Sequence, residues 1–524
     1  MRATRKSRKQ AEFGDFQTPP GLARAICALL AETGLEPASL VEPTCGRGSF
    51  LAAALETFPS LRSVLGLDIN AAHVRAARAA AARLSAAAAT QVVEGDFFRT
   101  DWPKVLRDRS EPLLVLGNPP WITSAELGSL GSSNLPEKSN FQKHSGLDAI
   151  TGMSNFDISE WMLIRMLESL KGRTGTMAML CKTTVARKAL RHAWENEISL
   201  ATADIYPIDA AGAFDAEVDA CLLVCTPGAA SFDCQVHQHL GTGGLAGKIG
   251  YRDGSLIADI AAYDRRKHLL GPELYRWRSG VKHDCSAVME LRRNGAMLHN
   301  GLGEEVRLEE EYLYPMLKGS EIVKGRTEAP SRLMLVTQRS IGEDTLPIQR
   351  RAPRTWRYLE THAKLLNRRA SSIYANRPPF SVFGVGEYTF ARWKVAIAGL
   401  YKRLDFKVVG PVDGKPVVLD DTSYFIACRT RDEARHLARL FNSAIAREFF
   451  ASFIFWDAKR PITIELLRRL DPIALSRALQ VEQITRKHLE AAPAALRADA
   501  SGPRALFTQE ATLTVPRPER RPAT

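Results

Sequence analysis

The segment Asn118-Pro119-Pro120-Trp121 combines residue types that could promote chemistry on the exocyclic amine of a nucleobase. Such an amine is a poor nucleophile because its lone pair is delocalised into the aromatic ring. The Asn118 side-chain oxygen and the Pro119 carbonyl could bind the two amine hydrogens and localise the lone pair for attack on an electrophilic methyl group. Trp121 could stack on the base, while the two prolines stiffen the loop by fixing φ. Taken alone, the segment would also fit a rigid turn around a packed indole.

A glycine-rich turn lies upstream, directly after an apolar strand that ends in Glu42. The turn runs through Thr44, Cys45, Gly46 and Gly48 and leads into a predicted helix. Glycines at such a turn let the backbone approach a bound nucleotide closely. The pattern differs from the dinucleotide GxGxxG motif, whose third glycine is not required when the ligand has no pyrophosphate.

Two further carboxylates follow at the ends of the next two predicted strands. Asp68, which precedes Ile69, stands where a carboxylate would accept hydrogen bonds from both ribose hydroxyls. Asp96, which precedes Phe97, could accept a hydrogen bond from the amino group of a bound adenine. Either aspartate by itself could instead be a helix N-cap. Together with Glu42, they predict a site for S-adenosyl-L-methionine.

The elements that must position these residues follow an α/β pattern. Short apolar strands alternate with helical stretches over residues 13–230, which predicts a Rossmann-like domain with a parallel sheet. The alanine-rich segment 71–89 favours a helix. The predicted strands are 39–42, 63–67, 90–94, 113–116, 175–180, 202–207 and 220–225.

The rest of the chain divides by composition. Residues 1–12 are predicted to be a flexible basic arm, and residues 231–275, which are rich in glycine, a connector. Residues 276–475 have a mixed pattern and are predicted to form a second α+β domain. Residues 476–524 are predicted to be helical at first and then disordered, because their end is rich in Pro, Arg and Thr.

Composition and charge restrict the classes of partner. The 524 residues include 71 Lys and Arg against 58 Asp and Glu, a net charge of +13, which favours a polyanionic partner. The apolar runs are shorter than the ~20 residues of a membrane span, and no signal peptide is evident. We therefore expect a cytosolic, monomeric protein without membrane association. Cys234, His237 and His239 lack an obvious fourth ligand, so no metal site is expected.

Basic residues of the second domain could contact a nucleic acid, although each could also be an ordinary solvated charge. Extruding a base from a duplex costs on the order of a few kcal/mol, which contacts to phosphates and base edges can offset. The candidates are Arg278, Lys282, His283, Arg351, Arg354, Arg368, Arg369, Lys459 and Arg460.

These motifs, in this order, resemble those of the gamma class of N6-adenine DNA methyltransferases. The resemblance covers residues 13–226 and is loose over 276–475. It implies double-stranded DNA as substrate, a target-recognition role for the second domain and, as a further partner, a separate restriction endonuclease. Thr18-Pro19 would contact the methionine end of the cofactor, Glu42 its ammonium group, and Phe214 the flipped base. The match also includes Asp68 at the ribose position, Asp96-Phe97 at the adenine position and Asn118 to Trp121 as the catalytic motif.

Two departures and several alternatives remain. Trp121 stands where Tyr or Phe is common, and Arg47 precedes Gly48. Members that methylate cytosine N4 generally carry Ser where this chain has Asn118, so adenine is favoured over cytosine. Methyltransferases of ribosomal RNA and of protein glutamine also use an NPP-aromatic motif, but are usually small and lack a large basic second domain. Neither a fused nuclease nor a DNA-binding protein without catalysis fits better, since no nuclease motif is evident and the methyltransferase motifs are intact.

Overall fold

The computed structural model describes residues 17–84, 88–122, 157–216, 218–241, 243–295 and 297–491. The chain divides into two compact units, residues 1–260 and 261–524. The predicted basic arm 1–12 and the predicted disordered end of the chain beyond residue 491 lie outside the described residues.

The first unit contains a ten-stranded sheet with the order β10-β9-β8-β6-β7-β5-β4-β1-β2-β3. All seven predicted strands are confirmed, with ends that differ by two residues or fewer. The strands are β1 Ser39–Glu42, β2 Ser63–Asp68, β3 Ala89–Glu94, β4 Leu113–Gly117, β5 Gly175–Lys182, β6 Leu200–Ile208, β7 Ala220–Pro227, β8 Asp233–His237, β9 Leu245–Arg252 and β10 Ser255–Ile257.

Strands β1 to β5 pair in parallel, whereas β7 is antiparallel to both β5 and β6. The central strands β1 and β4 are buried along their whole length, as expected of parallel strands covered on both faces. The chain runs outward through β1, β2 and β3 and then returns to β4 on the other side of β1. The carboxyl ends of β1 and β4 therefore form a topological switch point, where ligands bind in open α/β sheets.

Helices accompany this sheet. Leu40, Leu51 and Leu114 are fully buried in its hydrophobic core. The alanine-rich helix ends at Ala82, earlier than the predicted residue 89, and Ala89 itself begins β3. The helices of the first unit are α1 Pro20–Glu32, α2 Ser49–Thr57, α3 Ala71–Ala82, α4 Trp102–Arg107, α5 Ile158–Ser169, α6 Thr183–Glu195 and α7 Ala210–Phe214, with a 3-10 turn at Phe97–Arg99.

The predicted boundary near residue 230 needs correction. Strands β8 to β10, from the segment expected to be a connector, hydrogen-bond to the edge of the first sheet. The first unit therefore extends to residue 260. Backbone pairing between strands sets this boundary. The local sequence of a glycine-rich stretch does not reveal such pairing.

The second unit contains a four-stranded sheet, β11-β20-β17-β18, and a six-stranded sheet, β14-β13-β12-β16-β15-β19. Phe449, Phe450 and Ile426 lie in one of its hydrophobic cores, and Leu291, Leu335 and Leu359 in another. The strands are β11 Trp277–Ser279, β12 Glu290–Asn294, β13 Met297–His299, β14 Glu305–Val306, β15 Leu313–Leu317, β16 Arg332–Leu335, β17 Trp393–Ala398, β18 Lys407–Val409, β19 Val418–Leu419 and β20 Ser423–Cys428.

Helices complete the second unit and continue past the predicted end of the domain at residue 475. They are α8 Ile260–Arg266, which starts at the last residue of the first unit, α9 Ser286–Met289, α10 Gly319–Val323, α11 Ile348–Arg351, α12 Pro353–Thr361, α13 Ala363–Asn367, α14 Arg431–Phe441, α15 Ala444–Ala451, α16 Ile464–Leu467, α17 Pro472–Ala478 and α18 Glu482–Ala491. The mixed α+β prediction for this part of the chain agrees with these elements.

Candidate active site

A cleft opens at the carboxyl edge of the first sheet, with an empty volume of about 770 Å³ including its open mouth. The cleft lies where the strand order of the sheet reverses, which is the usual position of ligands in open α/β sheets. It brings together predicted residues from five separate segments of the chain. The predicted residues that line it are Thr18, Glu42, Thr44, Cys45, Gly46, Asp68, Ile69, Phe97, Asn118 and Pro120.

The glycine-rich turn has the backbone conformation that requires glycine. Gly46 and Gly48 have φ values of 51° and 87°, in the left-handed region. A Cβ at Gly46 would lie 2.6 Å from the side-chain oxygen of Gln17, and one at Gly48 would lie 3.0 Å from the backbone of Ala77. Gly46 therefore brings the backbone close to the cleft, while Gly48 lets helix α2 begin against α3.

Asp68 organises the same turn. One of its carboxylate oxygens accepts a hydrogen bond from the Gly46 N–H and the other from the Asn70 N–H, each at 2.8 Å. His73 Nδ1 lies 3.4 Å from the second oxygen. A carboxylate oxygen can accept more than one hydrogen bond, so these contacts orient Asp68 and are compatible with binding ribose hydroxyls.

Glu42 is the most unusual group in the cleft. It is 2% exposed, and its Oε2 has no hydrogen-bond partner among the described residues. Burial, together with the nearby Asp68 carboxylate, raises the pKa of Glu42 well above its usual range, and a backbone hydrogen bond from Leu51 acts in the opposite direction. A buried carboxylate without a counterion is costly unless a cation joins it. The cleft therefore fits a cofactor with an ammonium group, such as S-adenosylmethionine.

An aromatic cluster lies at the end of β3. Asp96 accepts a hydrogen bond from the Phe98 N–H at 2.8 Å and caps the 3-10 turn that follows it. Gly95, Phe97 and Phe98 line the cleft on either side of it. The Phe98 ring lies 5.2 Å from that of Trp161 in α5. Adenine binding by Asp96 stays a prediction.

Asn118 is held by two residues from the cofactor side of the cleft. Its side-chain nitrogen donates to the Thr18 hydroxyl at 3.3 Å, and its backbone carbonyl accepts from the Thr44 hydroxyl at 3.4 Å. These two contacts restrain both the side chain and the backbone of Asn118 at the cleft. The cleft thus contains an oriented acceptor beside the groups expected to bind a cofactor.

Trp121 and Phe214 contact each other. Their ring centroids are 5.1 Å apart with the planes at 69°, an edge-to-face arrangement. Trp121 is 6% exposed and Phe214 8%, and the indole N–H donates to the Leu180 carbonyl at 3.4 Å. The structure therefore joins the two rings predicted to hold a target base, although their role in stacking stays a prediction.

Nine residues that line the cleft were not among the predicted site residues: Gln17, Pro43, Ser49, Leu67, Asn70, His73, Gly95, Phe98 and Met162. Gln17 Oε1 accepts a hydrogen bond from the Arg47 N–H at 2.9 Å and so supports the glycine-rich turn. Because Gln17 is adjacent to the predicted cofactor contact Thr18, the sequence could have indicated that Gln17 lies in the cleft. Met162 lies in a helix that is apolar on several sides. Its sequence context therefore does not distinguish it from an ordinary core residue, and the sequence does not predict its place in the cleft.

The nine basic candidates of the second unit fall into three groups. Arg351, Arg368, Lys459 and Arg460 are exposed, as a role in binding phosphates requires. Lys282 lies 3.6 Å from Asp284, and Arg354 is bound to Glu309 at 3.0 Å. These two have internal acidic partners but keep part of their surface accessible.

Three other candidates have surroundings typical of structural residues. His283 is 8% exposed and lies 3.4 Å from the Glu290 carboxylate. Arg369 donates to the backbone carbonyls of Ser381 and Leu366, and Arg278 packs 4.3 Å from the ring centroid of Tyr388. Burial lowers the pKa of both arginines. These contacts favour folding roles for His283 and Arg369 over direct DNA contacts.

No group of three or more His, Cys, Asp or Glu side chains within the described parts of the chain could hold a metal ion. His237, considered above as a ligand, instead contacts Asp204 at 2.8 Å. None of the helices in the described segments combines the length and the hydropathy needed to cross a lipid bilayer.

Known proteins resemble this chain over most of its length. The family model described as N-6 DNA Methylase matches residues 3–198. Type II methyltransferase M.NspV of Nostoc sp. (strain ATCC 29411 / PCC 7524) is 43% identical over 471 residues, which is 89% of this chain and 98% of the relative.

Solved structures also resemble the chain, more distantly. The Type IIL restriction-modification enzyme MmeI in complex with DNA is 12% identical with a TM-score of 0.47, over 92% of this chain and 76% of that one. A modification subunit of a putative type I restriction enzyme from Vibrio vulnificus YJ016 is 18% identical with a TM-score of 0.29, over 43% and 47%. Both scores are below 0.5, so the relationship rests on the sequence relative and the family model.

Proposed function

We propose that this chain, which belongs to the N-6 DNA methylase family and is a DNA methyltransferase of the restriction-modification type, methylates the N6 amino group of an adenine flipped out of duplex DNA. S-adenosylmethionine is its methyl donor.

One observation carries the proposal. Asn118, whose amide is oriented by Thr18, lines the same cleft as Glu42 and Asp68. A fixed acceptor for a substrate amine is thus combined with a buried carboxylate suited to an ammonium group and a second carboxylate suited to a ribose. This combination is what methyl transfer to an amine requires, because the two reactants must be held in a near-attack arrangement.

The residues of the cleft have separate roles in cofactor binding and in catalysis. S-adenosylmethionine supplies an electrophilic methyl group when it is bound. Glu42 would hold its ammonium group, Asp68 its ribose hydroxyls, and the aromatic residues Phe97 and Phe98 would flank its adenine. The Asn118 oxygen and the Pro119 carbonyl would accept the two hydrogens of the target amine. These fixed dipoles raise the nucleophilicity of the nitrogen in the transition state, so no ionised base is needed beforehand.

Adenine is preferred to cytosine because family members acting on cytosine N4 generally carry Ser at the position of Asn118. We further propose that the second unit is a target-recognition domain, and that the exposed basic residues Arg351, Arg368, Lys459 and Arg460 contact DNA phosphates. The protein would act in the cytoplasm as a monomer and protect the target sites of a separate restriction endonuclease.

The product of the reaction tests the proposal. The protein is incubated with unmethylated bacterial DNA and isotopically labelled S-adenosylmethionine, and the digested nucleosides are separated by mass spectrometry. The expected product is labelled N6-methyldeoxyadenosine, which Asn118→Ala should not form. Label in N4-methyldeoxycytidine would overturn the choice of base, and label in neither nucleoside would overturn transfer to a base amine of DNA.

A further inference from the structure

Lys182, at the carboxyl end of β5, connects two segments next to the site. Its ammonium group donates to the backbone carbonyl of Trp121 at 3.2 Å and to the Asp157 carboxylate at 2.7 Å. Neither Lys182 nor Asp157 was expected to be functional from the sequence. Lys182 is not among the residues that line the cofactor cleft, so any effect on catalysis must pass through the two residues that it holds, Trp121 and Asp157.

The surroundings of this ion pair make it strong. The Lys182 side chain is 23% exposed and that of Asp157 is 10% exposed, so both groups are largely removed from water. Charge-assisted hydrogen bonds are stronger than neutral ones, and solvent screens them less when they are buried. Asp157 also accepts from the Ser159 N–H at 3.1 Å and thereby caps helix α5. That helix contributes Met162 to the cleft.

Trp121 is attached to the same strand at a second point. Its indole N–H donates to the carbonyl of Leu180, two residues before Lys182. The next residue, Ile122, accepts a backbone hydrogen bond from the Ile158 N–H at 2.9 Å. The carboxyl end of β5 therefore fixes the backbone and the ring of the last residue in the Asn118–Trp121 segment.

From this geometry we propose that Lys182 is a positioning residue for methyl transfer, which holds Trp121 and through it the acceptors of Asn118 and Pro119. This inference rests on the proposed catalytic role of that segment. Loss of the ammonium group would let Trp121 shift while the cofactor contacts at Glu42 and Asp68 stay in place. A misplacement of about 1 Å can lower a rate roughly 100-fold.

The test compares Lys182→Met, which keeps the length of the side chain without its charge, with Lys182→Arg. Single-turnover methyl transfer, cofactor affinity by calorimetry and thermal unfolding are measured for each full-length variant. For Lys182→Met we expect a fall in the single-turnover rate of roughly 10- to 100-fold, with cofactor affinity unchanged. Lys182→Arg should restore a large part of the rate, because a guanidinium can make the same two contacts.

Lys188→Met is a matched control. Lys188 in α6 bonds a buried carboxylate, that of Glu160, at 2.8 Å, but it does not contact Trp121. Its loss should lower the unfolding temperature as much as that of Lys182 while leaving the rate unchanged. If both variants lose stability and neither loses rate, Lys182 is only structural and the inference is overturned.

Two further outcomes separate this inference from the proposed function. A Lys182→Met variant that loses cofactor affinity as much as rate would also contradict a positioning role. If Asn118→Ala retains full methylation, the proposed catalytic segment is wrong. If it does not, and Lys182→Met transfers methyl groups at the wild-type rate, only the role of Lys182 fails.

Discussion

The Thr18 hydroxyl accepts a hydrogen bond from the side-chain nitrogen of Asn118 at 3.3 Å, across 100 positions of sequence. Thr18 is 8% exposed and precedes helix α1, while Asn118 follows β4. The contact joins the segment predicted to bind the cofactor to the segment predicted to bind the target base. The contact restrains the Asn118 side chain beside the residues of the cofactor cleft.

Replacing Thr18 should therefore affect methyl transfer through Asn118. Thr18→Val keeps the shape but removes the acceptor, and Thr18→Ser keeps the hydroxyl. One neutral hydrogen bond is worth about 0.5–1.5 kcal/mol, so we expect Thr18→Val to slow single-turnover transfer by roughly threefold to tenfold. Thr18→Ser should remain close to wild type. A Thr18→Val enzyme with an unchanged rate would show that the amide orientation is set elsewhere.

Asn118→Ala should abolish methylation while cofactor binding persists, because the Asn118 oxygen acts on the substrate amine. Calorimetric titration with S-adenosylmethionine and an assay of methyl transfer to DNA measure the two effects separately. A loss of cofactor affinity equal to the loss of activity would place Asn118 in the cofactor site instead.

Glu42→Gln should stabilise the cofactor-free protein and weaken cofactor binding. The folded protein raises the pKa of Glu42 above its usual value of 4.5, so folding favours the protonated carboxyl. The associated stability is full below pH 4.5 and is lost as the pH rises from there toward the folded pKa. Gln remains neutral, so the unfolding temperature of the variant should exceed that of the wild type at pH 7 and approach it at low pH.

The same substitution removes the predicted partner of the cofactor's ammonium group. We expect binding to weaken by about 1.5–3 kcal/mol, as for a hydrogen bond to a charged group. Wild-type affinity should rise with pH as Glu42 loses its proton, and the variant should lack this dependence. Unchanged affinity at every pH would remove Glu42 from the ammonium site.

Asp68→Ala should also weaken cofactor binding, by about 1.5–3 kcal/mol. The loss has two sources, since Asp68 holds the Gly46 N–H and is predicted to bind the ribose. Asp101→Ala is the control, because Asp101 caps helix α4 through the Lys104 N–H but does not line the cleft. It should lower stability without changing the dissociation constant. Equal effects of both variants on affinity would argue against a specific role for Asp68.

DNA affinity should fall steeply with salt, because basic residues that bind phosphates release counterions. Each alanine substitution at Arg351, Arg368 or Lys459 should lower the slope of log affinity against log salt by about 0.9. Arg75→Ala, on the exposed side of α3 in the first unit, is the control and should leave the slope unchanged. His283→Ala and Arg369→Ala should instead reduce thermal stability. Slopes that do not respond to the three exposed residues would contradict the assignment of the recognition surface.

Local sequence patterns were sufficient for the strands and for the residues at their ends. Most strands of the first sheet up to β7 are short apolar runs followed by a turn signal, a local pattern that can be recognised without knowing the partner strand. Because the carboxyl ends of parallel neighbours meet at one edge, Glu42, Asp68 and Asn118 could be expected together before any coordinates existed. The motif types and the prediction of S-adenosylmethionine follow from the same local information.

Contacts between distant segments were decided only by the tertiary structure. Hydrogen bonding to the edge of the sheet made part of the expected connector into β8 to β10, and burial placed His283 and Arg369 among internal partners. The Lys182 contact with Trp121 depends on a distance of 3.2 Å between residues 61 positions apart. A lysine at a strand end looks the same in sequence whether it faces solvent or a catalytic loop, because its partner is chosen by how the sheet and helices pack.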